Sequence, residues 1–216
     1  MCTIVTVVYE LPTMPPARDR RVRRSRSTLM HAAVTLVTER ETADVPVSDI
    51  AEAADVSRGL VYQQFRDRDT LLLAAALDLA QRELLPRVTD GPDPRAQTLA
   101  LARHMAEYRP FYRAVLASPC GFALSRALGG LFLPLNRQAI RMMFGERLDA
   151  RTTEDLALFL TGGWGAFVDT WVVDAPDPLD PAEFTDRLLR AASALVGLGG
   201  PHPHSHQEGA VVHDGP

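Results

Sequence analysis

Lysine is missing altogether: all 23 basic residues of this 216-residue chain are arginine. Cysteine is nearly missing too. Cys2 and Cys120 stand far apart and at no metal-ligand spacing. That excludes a disulfide framework and a cysteine metal site, and two inert thiols fit a reducing cytoplasm. No unbroken apolar run approaches the ~18 residues of a membrane span. The apolar start MCTIVTVVYELPTM has no basic segment ahead of it, which a signal peptide would need. A membrane partner is therefore not expected, and the location is read as cytoplasmic. Walker A, GxSxG and HExxH patterns are also missing. Accordingly no catalytic residue, metal or cofactor is expected, and the chain is not read as an enzyme. Strand-like alternation of useful length is lacking beyond the first nine residues.

What is present is helical pattern and an uneven charge. The net charge of −4 argues at first against nucleic acid. Its distribution reverses that. Residues 18–26, RDRRVRRSR, hold six arginines and one aspartate. Ten arginines face nine acids through Arg68, whereas thirteen face eighteen from Asp69 onward. Local field, rather than net charge, steers a protein to phosphate.

The segment from Val47 to Phe65, VSDIAEAADVSRGLVYQQF, reads as two short helices around a tight turn. Ile50, Ala51 and Ala54 give the first helix one buried face, and Ala51 is small where the second must cross it. Asp55 sits at the turn, where a short polar side chain tolerates a left-handed backbone. Ser57 is a good N-cap. The second helix then sets Arg58, Tyr62, Gln63 and Gln64 beside only two strong apolar anchors, Val61 and Phe65. Arginine can read guanine and glutamine adenine by paired hydrogen bonds, so Arg58, Gln63 and Gln64 are candidate base contacts. The pattern is a helix-turn-helix.

From Leu29 to Leu72 the chain resembles the TetR family of bacterial transcriptional regulators. The pieces are LMHAAVTLVTER, VSDIAEAA, VSRGLVYQQF and RDRDTLL, in order and without a gap. Departures are Glu41 and Thr42 for a usual glycine and aromatic, and Pro46 for a hydroxyl cap. Asp55 replaces a turn glycine, Leu60 a threonine, Gln64 a histidine and Arg68 a lysine. The resemblance implies an all-α fold, with a three-helix DNA-binding domain at the N-terminus and a helical ligand-binding and dimerisation domain after it. It implies a DNA-contacting set of Ser48, Ser57, Arg58, Gly59, Leu60, Tyr62, Gln63, Gln64 and Arg68, with Tyr62 and Arg68 on phosphates. The implied effector pocket would be lined by Met105, Tyr108, Phe111, Tyr112, Phe122, Phe132, Met142 and Phe167. Each of these also fits plain core, and His104, Arg109 and Arg113 are possible polar handles. In the family the last two helices pair across a two-fold axis. Gly162, Gly163, Trp164, Phe167, Trp171, Leu188 and Leu195 are therefore expected at a homodimer interface.

Division along the chain follows from punctuation. Residues 1–24 read as a disordered basic extension, with Met14 a second plausible start; 25–70 form the DNA-binding domain. The helical body runs over 71–198, and 199–216 is a disordered tail in which His202, His204 and His206 alternate with Pro and Ser. Asp67 should cap a fourth helix that fades near Pro86 and the turn signal Asp90-Gly91-Pro92; Asp93-Pro94, Pro110 and Asp180-Pro181 each open a later one. Residues 120–144 allow one kinked helix or two. The leading reading is a repressor that binds a palindromic operator as a dimer, with recognition helices about 34 Å apart, and is released by a small, mostly apolar effector. The alternative is an architectural, nucleoid-associated DNA binder without an effector. A ligand-sized cavity between helices four to seven would separate the two.

Overall fold

The computed structural model describes residues 19–91 and 93–198, with side chains from 21 to 194. The tail at 199–216, with its three histidines, and Leu195 as a side chain lie outside that set. All regular structure among the described residues is helical. Helices α1 (Asp19–Arg40), α2 (Val47–Ala53) and α3 (Arg58–Gln64) make the head. The body holds α4 (Arg68–Leu79), α5 (Leu85–Thr89), α6 (Pro94–Glu107), α7 (Arg109–Leu116), α8 (Gly121–Phe144), α9 (Ala150–Asp174) and α10 (Pro181–Leu198).

Caps account for most of the boundaries. Asp67, Asp93 and Asp149 each accept a hydrogen bond from a backbone N–H three residues on, at 2.7–2.8 Å, and so open α4, α6 and α9. Proline stands in the first turn of α5, α6 and α7, where its missing N–H leaves nothing unpaired.

One boundary differs from expectation. Helix α1 starts at Asp19, inside the stretch read as a disordered extension to residue 24. Arginine is a good helix former, and Arg26 is tied to the head by contacts far away in sequence. The fourth helix runs past Pro86 and ends at Thr89, at the turn signal that begins with Asp90. A π-turn at Ala80–Leu84 carries α4 into α5 without a break. The wider turn makes room for a ring that would otherwise meet the carbonyl of Arg82. Residues 121–144 form one helix despite Pro134.

Helices α8 and α9 pack as the most extensive pair in the body. Gly129 faces Thr161 across this contact, where an added Cβ would stand at ordinary contact distance, 3.5 Å from Thr161 Cγ2. Polar links hold the register: Asn136 Nδ2 donates to Thr161 Oγ1 at 2.8 Å, Ser125 Oγ to Asp169 at 2.6 Å, and Arg137 forks onto Glu154. By length and composition α9 could cross a membrane, although its apolar residues form no unbroken run. Here it is a packed helix with one bare side. Leu158 and Phe159 are 62% and 64% exposed, and nothing approaches Gly162 or Gly163.

Two residues expected at the dimer interface belong to the chain's own core instead. Trp171 stacks on Phe184, ring centroids 4.1 Å apart, and Leu188 is buried beside them. Trp164 and Phe167 are half-buried against that cluster. Large side chains on the inner stripe of α9 and α10 are needed to join these helices within one subunit.

Gly121 marks the tightest point of the fold. A Cβ there would stand 2.0 Å from the Leu116 carbonyl oxygen. Gly121→Ala should lower unfolding free energy by about 3 kcal/mol. Gly130→Ala, with open space around it, should raise it by up to ~1 kcal/mol. Urea denaturation of the two variants checks the contrast, and equal effects would count against it.

Candidate nucleic-acid interface

The turn between α2 and α3 is built from two reversed hydrogen bonds. Val56 N–H donates to the Ala51 carbonyl at 2.9 Å and Asp55 N–H to Glu52 at 3.0 Å. This is a Schellman closure, and it forces Asp55 to φ 52°. Glu41, after α1, sits likewise at φ 51°. The two departures from family glycines are thus both left-handed positions, where glycine carries no steric penalty. Ser57 then caps α3, its hydroxyl accepting from Leu60 N–H at 3.3 Å. Pro46 stands at the N-cap of α2 without a side-chain bond, and its carbonyl takes the Asp49 and Ile50 N–H groups instead.

Burial sorts the expected DNA-contacting residues. Val61 and Phe65 are fully buried and anchor α3. Ser57, Arg58, Gly59, Tyr62 and Gln63 are exposed on its outer side, Tyr62 by 52%. Leu60 and Ser48 are half-buried, and the Ser48 hydroxyl donates to Asp49 at 3.1 Å. Gln64 is half-buried with Oε1 sealed from solvent and unpartnered, so it is not presented as a free base reader. Arg68 is no free cation either: it pairs with Asp44 across 24 residues of sequence and with Asp69 beside it.

Local pattern gave no sign of the partners that hold this face. Arg26 Nη1 donates to the Gln64 carbonyl at 3.0 Å while its guanidinium lies 4.1 Å over the Phe65 ring. It thereby closes the C-terminus of α3, where a cation is favoured. Partial burial lowers the pKa of Arg26. Arg40 bonds Asp49 at 2.7 Å, and that bond holds the Asp49 carboxyl below its usual range. Such pairs join residues distant in sequence, and only the fold brings them together.

The eight residues expected to line an effector pocket do not enclose one. Met105, Phe111 and Tyr112 are packed core, Tyr108, Phe132 and Phe167 are half-buried, and Phe122 and Met142 are 80% and 74% exposed. A polar cluster runs through this core. The Tyr112 hydroxyl lies 3.0 Å from His104 Nε2, and Tyr108 donates to Glu83 of the π-turn at 2.6 Å. That bond pushes Tyr108 up to about 12, and burial pushes Tyr112 up as well. The ligand-sized space lies elsewhere: an open groove of about 530 Å³ whose walls include Glu41, Arg109, Pro110, Arg113, Asp177 and Leu179. Arg109 forms its floor, buried and donating to the carbonyls of Val172 and Ala175 and to Asp177. Among the described residues no group of three or more His, Cys, Asp or Glu could hold a metal.

A two-helix turn with an exposed polar second helix, carried on a helical body, defines a helix-turn-helix DNA-binding protein. Residues 29–75 match the family described as bacterial regulatory proteins, tetR family. No curated protein matches the chain. Among solved structures it is similar to a TetR-family transcriptional regulator from Rhodococcus sp., at 20% identity and TM-score 0.57, covering 80% of this chain and 98% of that one. The dihydroxyacetone kinase operon activator DhaS is similar at 16% and 0.53, covering 81% and 97%. NalD, the secondary repressor of the MexAB-OprM multidrug efflux pump in Pseudomonas aeruginosa, is similar at 19% and 0.51, covering 81% and 96%. The chain carries the TetR-family helix-turn-helix head, and its fold is that of TetR-family transcriptional regulators.

Burial depresses His104 from 6.5 to about 4. The native state therefore keeps this ring neutral while the unfolded chain takes up a proton between those values. Stability should be fully present above pH 6.5 and fall towards pH 4, by on the order of 3 kcal/mol. His104→Gln should flatten that part of a stability–pH curve measured by urea denaturation, and an unchanged slope would count against this account.

Proposed function

We propose that the chain is a ligand-responsive transcriptional repressor that binds a palindromic operator as a homodimer in the cytoplasm. The observation that carries the DNA reading is α3 itself. It is fastened from beneath by Val61 and Phe65 and closed at both ends, by Ser57 and by Arg26, and it shows Arg58, Tyr62 and Gln63 to solvent. A rigid helix with a bare polar face is what a major groove accepts.

Dimerisation is supported by the bare side of α9. Leu158 and Phe159 with Gly162 and Gly163 form an apolar, low-relief strip that a second copy can cross closely. The position agrees with the expected interface for Gly162 and Gly163 but moves its weight away from Trp171 and Leu188. Phe159→Asp should convert dimer to monomer in sedimentation at micromolar concentration without loss of helicity. A dimer that survives would argue for another interface.

The groove beside Arg109 supports an effector, at a place other than the cavity expected between helices four to seven. Its walls come from the end of α1, from the α6–α7 junction and from the loop before α10. A molecule seated there would touch head and body together and so bias their relative placement. Repression accords with the NalD likeness, although DhaS, an activator, has the same fold.

A gel shift of the purified protein against its own upstream DNA, beside unrelated DNA, tests the main reading. Sequence-selective binding is expected, weakened about tenfold or more by Arg58→Ala or Tyr62→Ala. Equal binding to both DNAs would favour the architectural reading for that site, and no binding at low salt would refute the DNA reading altogether.

A further inference from the structure

We propose that Asp44 is a built-in phosphate surrogate: its carboxylate holds Arg68 at the N-terminus of α4, and DNA must displace it to engage that arginine. The inference rests on the DNA-binding reading of the head.

Arg68 is placed for an anion. It is the first residue of α4, where the positive end of the helix adds to its own charge. It follows α3 after the short Phe65–Asp67 link. Its guanidinium is nevertheless occupied, Nη1 by Asp44 Oδ1 and Nε more loosely by Asp69 at 3.5 Å.

Asp44 is held in place by its neighbours rather than by its own burial. Ala43 and Val45 on either side are buried, at 7% and 0% exposure, whereas the Asp44 side chain is 85% exposed. Its backbone N–H is tied to Thr42 Oγ1 at 3.1 Å. The alternation pins the main chain and throws the carboxylate outward onto Arg68. A carboxylate and a phosphate offer the same pair of oxygens to an arginine fork, so they compete for it directly. The standing partner is weak, because an ion pair with one member so exposed is well solvated. Phosphate can therefore win, but at reduced net affinity.

A distinct electrolyte signature follows. When phosphate takes Arg68, the freed Asp44 carboxylate gathers a cation from solution, offsetting one counterion released by the DNA. The unaltered protein should thus show a shallower dependence of log K on log salt than its Asp44→Asn variant, by up to about 0.9. Affinity for DNA should rise about fivefold in Asp44→Asn at low salt. Asp69 remains against Arg68 in that variant and sets a limit to the gain.

Fluorescence anisotropy with a labelled mixed-sequence duplex, read across a salt series, tests this on the full chain. The four proteins are the unaltered chain, Asp44→Asn, Arg68→Gln and the double variant, each checked by circular dichroism. A gain in Asp44→Asn that disappears in the Arg68→Gln background, with the steeper salt slope, is the expected result. An equal gain in both backgrounds would reduce Asp44 to a general negative charge and overturn the proposal. So would no gain at all while the unaltered protein binds, or a gain with an unchanged slope. Asp44→Ser should repeat the Asp44→Asn result, and failure to do so would likewise overturn it. No binding by the unaltered protein at the lowest salt would instead refute the DNA reading, and this inference with it.

Discussion

One apolar core runs unbroken from Leu29 in the head to Leu188 in the last helix, and α4 makes it continuous. Leu71 and Leu72 at its start are buried with the head, whereas Leu84, one π-turn further on, is buried with the body. α1 packs along α4 more extensively than along any other helix, so the recognition unit is fixed to a shaft that reaches into the body. Packed interiors have low compressibility and transmit strain.

Electrostatics at the head follow a different logic from burial. The exposed arginines that a DNA-binding face requires are held partly in check by acids of the same chain. Asp44 holds Arg68, and Asp49 holds Arg40. Arg26 is spent on structure, at the Phe65 ring and the Gln64 carbonyl. Arg58 and Gln63 on α3 stay exposed to solvent. The net charge of −4 thus coexists with a run of six arginines at residues 18–26, just before the helix-turn-helix.

The body spends its chemistry on closure. The aromatics and methionines of α6 and α7 fill their own core, and the His104–Tyr112 and Tyr108–Glu83 bonds satisfy most of the polar groups caught there. His104 Nδ1 stays unpartnered. The space large enough for a small molecule opens instead beside Arg109, whose buried guanidinium closes the C-terminal end of α9.

Local chemistry carried much of this in readable form. The helix-turn-helix, the Ser57 cap, the left-handed Asp55, the aspartate caps at 67 and 93 and the proline-led starts of α6 and α7 all depend on residues within a few positions of one another. They follow from backbone geometry and can be read in order along the chain. Residue types alone could not divide core from surface among apolar side chains. Phe111 and Phe122 look alike in sequence, yet one is buried and the other 80% exposed, because only the packing of α7 and α8 decides which way each points. Trp171 turned inward to Phe184 for the same reason, while Gly162 and Gly163 were left bare. The partners of Arg26 and Arg68 were beyond reach as well, being 38 and 24 residues away. Sequence by itself determined the helices, their ends and the DNA-binding motif, since short-range sterics and hydrogen bonds set these. Tertiary structure alone decided which charges were already answered, which aromatics were core and where a ligand could sit, since each depends on groups that meet only when distant helices pack.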